Sequence, residues 1–241
     1  MLELLFVIGV IALIAALLLP AFSRAKAQAQ RTACKNNLRQ MGLGLHMYLL
    51  NTGRYPPEWG KNAQDFLAWA DRAMETSQHS WTNSNWQCPA YVARNGLVKI
   101  VEHPRGPEVF TSYAYNEWGM VDTSRHQRLG LGLSPGSTVA EAQIAAPSEM
   151  IAVADSRTFR NFPGPYGLIE RLHGLVQMQP FFTYCEETQP IHGGYNALFA
   201  DGHVAFLARK DYLNPPRAAS HWNRDNQPHP EMWRGTNEWA Q

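Results

Sequence analysis

The fold of this chain is decided near its N-terminus by the stretch ELLFVIGVIALIAALLLPAF, residues 3–22. After Glu3 no charged residue appears until Arg24, and Pro20 is the only proline in the stretch. At about 1.5 Å of rise per residue, a helix of this length can cross the hydrocarbon core of a membrane. The sequence therefore predicts a hydrophobic N-terminal helix over residues 1–23 that serves as a membrane anchor.

Glu3 is the feature of this helix that a simple anchor does not explain. A carboxylate in a membrane-spanning helix costs a few kcal/mol unless it finds a partner, so its presence is a hypothesis about function. The basic residues follow the apolar run: they are Arg24, Lys26, Arg31, Lys35 and Arg39. Because positive charge normally stays cytoplasmic, either the following domain is cytoplasmic or a basic leader has been removed, and we favour the removed leader.

The helical pattern continues over residues 24–50 in amphipathic form. Its apolar residues form one stripe at helical spacing: Cys34, Leu38, Met41, Leu45 and Tyr48. Gly42 and Gly44 weaken an isolated helix, so this half needs tertiary contact to stay helical. We therefore expect residues 24–50 to dock on a globular head. The run Asn51-Thr52-Gly53 ends the helix, and Pro56 and Pro57 prevent its return.

Two motifs link this pattern to a known family. The spacing from Glu3 to Pro20 is 20 − 3 = 17 residues, and the segment resembles the N-terminus of type IV pilins and type II secretion pseudopilins. The stretches CKNNLRQMGLGLHMY, residues 34–48, and HGGYNALFADGHV, residues 192–204, resemble the pilin-like proteins of planctomycetes, verrucomicrobia and their relatives. In the pilin family a short basic leader ending in Gly precedes the mature segment, whereas only Met1 and Leu2 precede Glu3 here.

The resemblance implies an α+β fold, with a long N-terminal helix and a globular head built on an antiparallel sheet. It implies a structural subunit that is cleaved by a prepilin peptidase, methylated at its N-terminus, and held in the inner membrane before assembly. The subunit would then polymerise with copies of itself into an extracellular filament, aided by pilus or type II secretion machinery. The expected assembly residues are Glu3, Leu4, Phe6, Ile11 and Pro20. The alternatives are a short periplasm-spanning pseudopilus and a membrane-anchored binding domain that does not polymerise.

The head is expected over residues 51–213, with a helix near 62–77 and strands near 112–116 and 150–154. The sharpest local signal is a hairpin of residues 196–200 and 203–207 around Asp201-Gly202, a pair that predicts a two-residue primed turn. Residues 214–241 mix Pro, Asn, Arg and Trp without periodicity, which predicts an irregular C-terminal tail. Its Trp222, Trp233 and Trp239 are expected to pack on this subunit or on the next one.

The chain contains three cysteines, which cannot all pair within one molecule. Cys34 lies on the stripe that should face the head, which favours a disulfide with Cys88 in an oxidising compartment. A Cys88–Cys185 bridge and the absence of any bridge are the alternatives. The spacing shows no Cys-x-x-Cys pair, so zinc is not expected.

No other chemistry is indicated by the sequence. Turn formation accounts for Asp201 in the His192 to Asp201 motif, and the alternative is a cation site formed by Asp155, Asp201 and His192. The resemblance names calcium as the ion for that site. No nucleophile pattern supports catalysis, so we do not expect an enzyme. A formal charge of +1 over 241 residues gives no reason to expect nucleic-acid binding.

Overall fold

The structure, a computed structural model, describes residues 2–56, 88–95, 101–103, 106–108, 113–116, 119, 121–122, 127–131, 139–155, 192–213 and 215–230. The helix expected at 62–77 lies outside these residues, as do Cys185, Trp233 and Trp239. The described residues form one long helix, a four-stranded antiparallel sheet and several short elements. This is the α+β class that the sequence predicts.

Helix α1 (Leu2–Thr52) is a single element of 51 residues, about 75 Å long. Its second half carries the predicted apolar stripe, which is buried at these positions: Cys34, Leu38, Met41, Leu45 and Leu49. Tyr48, expected to be the last member, is only partly buried and packs beside the core. A period of 3.6 residues turns Leu49 more directly toward the head than Tyr48. The predicted stripe is therefore confirmed, except that Leu49 takes the place of Tyr48 as its last buried residue.

The exposed part of α1 is longer than the sequence suggests. Every residue from 3 to 29 is exposed, so docking starts near residue 30 and not at residue 24. The intervening turns, Arg24 to Ala29, contain only alanine, basic residues and glutamine, and they offer no large apolar side chain to bury. Pro20 predicts a kink or a local unwinding of the helix in the segment just before it. Helix α1 stays helical through this segment, and a kink there stays a prediction. One proline removes a single backbone donor, and the turns on either side keep their hydrogen bonds.

The main sheet has the strand order β3-β6-β7-β8, and all its pairs are antiparallel. Its strands are β3 (Tyr113–Tyr115), β6 (Ile151–Asp155), β7 (Tyr195–Phe199) and β8 (Val204–Leu207). Two small hairpins complete the strands: β1 (Val101–His103) with β2 (Gly106–Glu108), and β4 (Val121–Asp122) with β5 (Gln127–Arg128). The predicted strands at 112–116 and 150–154 therefore lie within one residue of the observed ones.

The β7–β8 hairpin is present as predicted, but its turn is of another type. The amide of Gly202 donates to the carbonyl oxygen of Phe199, and the amide of Phe199 donates to the carbonyl oxygen of His203. Of the loop residues Ala200, Asp201 and Gly202, only Gly202 has a positive φ, at 91°. A primed two-residue turn with Asp-Gly needs positive φ at both central residues, so this is a three-residue loop with a left-handed glycine.

Each face of the sheet covers a different core. Helix α1 lies across β7 and β8 on one face, and α2 (Pro89–Asn95) packs against α1. The opposite face carries α3 (Arg209–Leu213) and α4 (Pro215–Trp222). Residues alternate between the two cores along β7, with Leu198 facing α1 and Phe199 facing the C-terminal helices.

The expected irregular tail is wrong for residues 215–222, which form α4. Pro215 stands at the first helical position, where its missing N–H costs nothing. Ala218, Ala219 and Trp222 of α4 are buried, and the Trp222 indole donates to the carbonyl oxygen of Tyr212 at 3.2 Å. Burial of these three side chains holds the eight-residue segment in a helix.

Candidate functional site

The first half of α1 is the most unusual surface of the molecule. Between residues 4 and 22 it exposes thirteen large apolar side chains, including Leu4, Phe6 and Ile11 at 60–73% of their maximum. The helix is long and apolar enough to cross a membrane by length and composition. Burying one such side chain contributes about 1.5–3 kcal/mol, so leaving this half in water would forgo tens of kcal/mol. The apolar half is therefore compatible with a membrane anchor or with a signal segment.

All five predicted assembly residues lie on this exposed half. Glu3 stands in the first turn of α1, and its side chain is exposed. Leu4, Phe6, Ile11 and Pro20 are exposed as well. Within one chain the head therefore does not cover this set of residues, which leaves the whole run available to a membrane or to a second copy.

A second notable group lies where the docked half of α1 begins. Cys34 and Cys88 are both fully buried and form a disulfide with a Cα–Cα distance of 5.0 Å. This is the pairing that the sequence favoured. The Nε2 atom of His192 lies 3.1 Å from Sγ of Cys88 and 3.2 Å from Sγ of Cys34. The sulfur and nitrogen atoms all lie within 4.8 Å of one another, and His192 is partly buried.

Three elements bring this cysteine–histidine cluster together. Cys34 lies on the buried face of α1, and Cys88 immediately precedes α2, where its carbonyl oxygen accepts the amide of Val92. His192 lies three residues before β7, the strand on which α1 rests. The hydroxyl of Tyr113 donates to the carbonyl oxygen of Cys34 at 3.4 Å, which adds β3 to the same junction.

The predicted cation set Asp155, Asp201 and His192 does not form a site among the described residues. Oδ1 of Asp201 accepts the backbone amide of His203 at 3.0 Å and lies 2.6 Å from its Nδ1 atom, inside the hairpin turn. His192 contacts the two cysteines, and Asp155 has its own partners in β7. In the described part of the chain, the one group of His, Cys, Asp or Glu arranged to hold a metal ion is the cysteine–histidine cluster. The turn role of Asp201 is thus present, and the calcium set is not assembled.

Asp155 occupies a different position, at the end of β6. Its Oδ2 atom accepts the backbone amide of Asn196 at 2.7 Å and the Asn196 side-chain amide at 2.9 Å. Burial raises the pKa of Asp155 to about 7, although the hydrogen bonds from Asn196 and the charge of Arg31 act in the opposite direction. The guanidinium of Arg31 lies 3.4 Å above the ring of Phe206, which fixes the start of the docked half of α1 on β8.

Comparison with known proteins gives one match. Residues 23–107 match the model of a family described as a protein of unknown function, DUF1559. The match covers the docked half of α1, α2 and all of the β1–β2 hairpin except Glu108, and it includes both cysteines of the disulfide. No curated protein and no solved structure matches this chain.

Both motifs are visible in the sequence, but the contact between them is not. Cys34 and His192 are 158 residues apart, and Cys88 precedes His192 by 104. No ligand spacing of the kind that marks a zinc finger is visible in such a pattern. One feature of the sequence could have indicated this contact: Cys34 and His192 are each the first residue of a motif that resembles pilin-like proteins. The first motif lies in the docked helix, and the second begins just before the strand that this helix covers.

Proposed function

We propose that this chain is a pilin-type structural subunit, held in a membrane by the first half of α1 and assembled into a filament through the same surface. The observation that carries the proposal is the division of α1 into two halves. Residues 3–29 are exposed throughout, whereas the following turns are docked on an antiparallel sheet. An apolar rod projecting from a folded head is suited to lateral packing with copies of itself, since each copy presents the same unsatisfied surface.

Glu3 supports assembly over simple anchoring. It lies in the apolar half, far along the chain from the first docked residue, and an anchor gains nothing from it. In a bundle of α1 helices, the N-terminal amine of an adjacent subunit would neutralise its carboxylate and remove the cost of placing it in an apolar environment. Such a pair would also set the axial register between subunits.

The disulfide supports a location for the head outside the cytoplasm. Buried disulfides persist in oxidising compartments and are rare in reducing ones. With the apolar half in the inner membrane, the head would face the periplasm before assembly. The filament would then extend from the cell as a surface pilus, and electron microscopy of sheared cell-surface material would distinguish it from a short secretion pseudopilus.

Replacement of Glu3 tests the proposal directly. The variant Glu3→Ala should insert in the membrane and keep a folded head, but filament yield should fall by at least tenfold because the carboxylate–amine pair is lost. Glu141→Ala, which removes an exposed acid of the head, is the matched control and should assemble normally. Filament yield is measured by electron microscopy and by immunoblotting of sheared material. Normal assembly of Glu3→Ala would contradict the role given to Glu3, and a parent chain that forms no filaments would favour the rival function, a membrane-anchored domain that does not polymerise.

A further inference from the structure

We propose that the cysteine–histidine cluster of Cys34, Cys88 and His192 is a zinc site when the disulfide is reduced. Two thiolates and one imidazole are a preferred ligand set for this ion. All three donor atoms lie within 4.8 Å of one another in the disulfide form. The proposal does not depend on whether the subunit polymerises.

The position of His192 is the observation that points to a metal. Its Nε2 atom is nearly equidistant from both sulfurs, at 3.1 and 3.2 Å. After reduction of the disulfide, a metal placed between the three atoms would use all of them as ligands. In a tetrahedral site with Zn–S distances of about 2.3 Å, two sulfurs lie about 3.8 Å apart. Rotation of the two cysteine side chains after reduction provides that separation while the backbone stays in place.

The net charge of the site favours Zn²⁺ over Cu⁺, which is also a soft cation. Both cysteines are fully buried, so a site with a net charge would be costly. Two thiolates and a neutral imidazole balance Zn²⁺, whereas the same ligands around Cu⁺ leave one negative charge. His192 is partly exposed, which leaves the fourth position open to water or to an external ligand on its side of the site.

The redox step that opens the site is a two-electron reduction. An external dithiol transfers two electrons and two protons to the Cys34–Cys88 bond, giving two thiols, and is itself oxidised to a cyclic disulfide. Zinc binding then releases the two thiol protons to solvent. Thiol–disulfide exchange with an external disulfide, which takes up the two electrons and two protons and becomes a dithiol, restores the Cys34–Cys88 bond from the metal-free thiols, so the bound metal and the covalent bridge are mutually exclusive.

The test uses the full chain in detergent with Cys185→Ser, which removes the remaining thiol. The protein is reduced with a phosphine, desalted without oxygen, and titrated with Co²⁺, whose thiolate charge-transfer absorption reports the ligands. We expect one Co²⁺ per reduced chain, displaced by one equivalent of Zn²⁺, and none in the oxidised chain. His192→Ala should weaken binding at least tenfold, whereas His203→Ala, which removes a histidine outside the cluster, should not.

Three results would overturn the proposal. The first is a reduced chain that keeps its near-ultraviolet circular dichroism but takes up no Co²⁺. The second is His192→Ala binding as tightly as His203→Ala. The third result concerns a head that unfolds on reduction alone. Zn²⁺ should then restore the near-ultraviolet circular dichroism of the folded head, and failure to restore this signal would rule the site out.

Discussion

At the scale of single residues, Asp155 is unusual because its carboxyl group is buried at the end of strand β6. It is the only buried acid among the described residues. Two donors from Asn196 reach one of its oxygens, and among the described contacts Oδ1 has no hydrogen-bond partner. Burial therefore prevails over hydrogen bonding, and the neutral acid is favoured in the folded head.

The consequence is a stability that falls as pH rises. The pKa of Asp155 is raised from its ordinary value of 3.8 to about 7, so the folded chain binds the proton more tightly than the unfolded chain. The resulting stabilisation is fully present below pH 4 and is lost as pH rises through 7. The loss is on the order of 4 kcal/mol, at about 1.4 kcal/mol for each pH unit between the two pKa values.

Asp155→Asn replaces the neutral acid with an uncharged isostere and should remove this pH dependence. We expect the variant to unfold at higher denaturant concentration than the parent at pH 8, and at a similar concentration at pH 4. Denaturant melts followed by tryptophan fluorescence measure both. Glu141→Gln, an exchange of an exposed acid of the head, is the control and should leave the pH profile unchanged. A parent whose stability rises from pH 4 to 7 would contradict the assignment.

At the scale of elements, the contact between α1 and β7 depends on a glycine. A Cβ atom at Gly42 would lie 2.7 Å from Cδ1 of Leu198, a fully buried side chain of the sheet. The glycine costs the isolated helix about 1 kcal/mol but lets α1 approach the strand closely. The sequence shows only the cost to the helix and not the close approach to the strand. From the sequence alone, Gly42 is therefore interpreted as a residue that weakens the helix.

Gly42→Ala should therefore destabilise the head, although alanine is the better helix former. Overpacking of a filled core costs about 1–3 kcal/mol and should exceed the gain in helix propensity. Gly9→Ala is a matched control in the same helix, because no atom lies within 4 Å of the added Cβ. Urea melts of both variants in detergent measure the difference. A head stabilised by Gly42→Ala would show that Leu198 moves aside without cost.

The elements also show how far sequence reasoning extends. The stripe on α1 and the strands β3, β6, β7 and β8 follow from periodicity and turn residues, because each has a clear local signal. Helix α4 has a weaker signal, because it is only eight residues long; Pro215 favours a helix start, and Ala218 and Trp222 pack against the sheet. The number of residues in the loop at Asp201-Gly202 depends on where the hydrogen bonds between β7 and β8 end. The cysteine–histidine cluster depends on how three distant segments meet, which no local pattern records.

At the scale of the whole molecule, the head and the exposed half of α1 differ in what holds them. The head has its own two cores, one under α1 and one under α3 and α4. The exposed half contributes no buried residue to either core. The head should accordingly fold without the apolar half, and assembly of the proposed filament should depend on that half.

A truncated chain that starts near Ala27 should be a soluble monomer. It keeps the docked part of α1 with Arg31, Cys34 and the buried stripe, and it loses the thirteen exposed apolar side chains. Filaments of the full chain should dissolve in detergent and withstand salt, because apolar burial outweighs exposed ion pairs. Size-exclusion chromatography and sedimentation measure the two effects. Stable polymers of the truncated chain would place the principal contacts in the head.

Cys34 is the first fully buried residue of α1, so the covalent link to Cys88 lies at the junction between the free rod and the docked helix. A tensile load pulling on the rod would reach this link before it reached Leu38 or Met41. Without the link, the docked helix would peel from the sheet one turn at a time, starting at this junction. With it, force passes into the head through a covalent bond, and the noncovalent contacts beyond it are shielded from peeling.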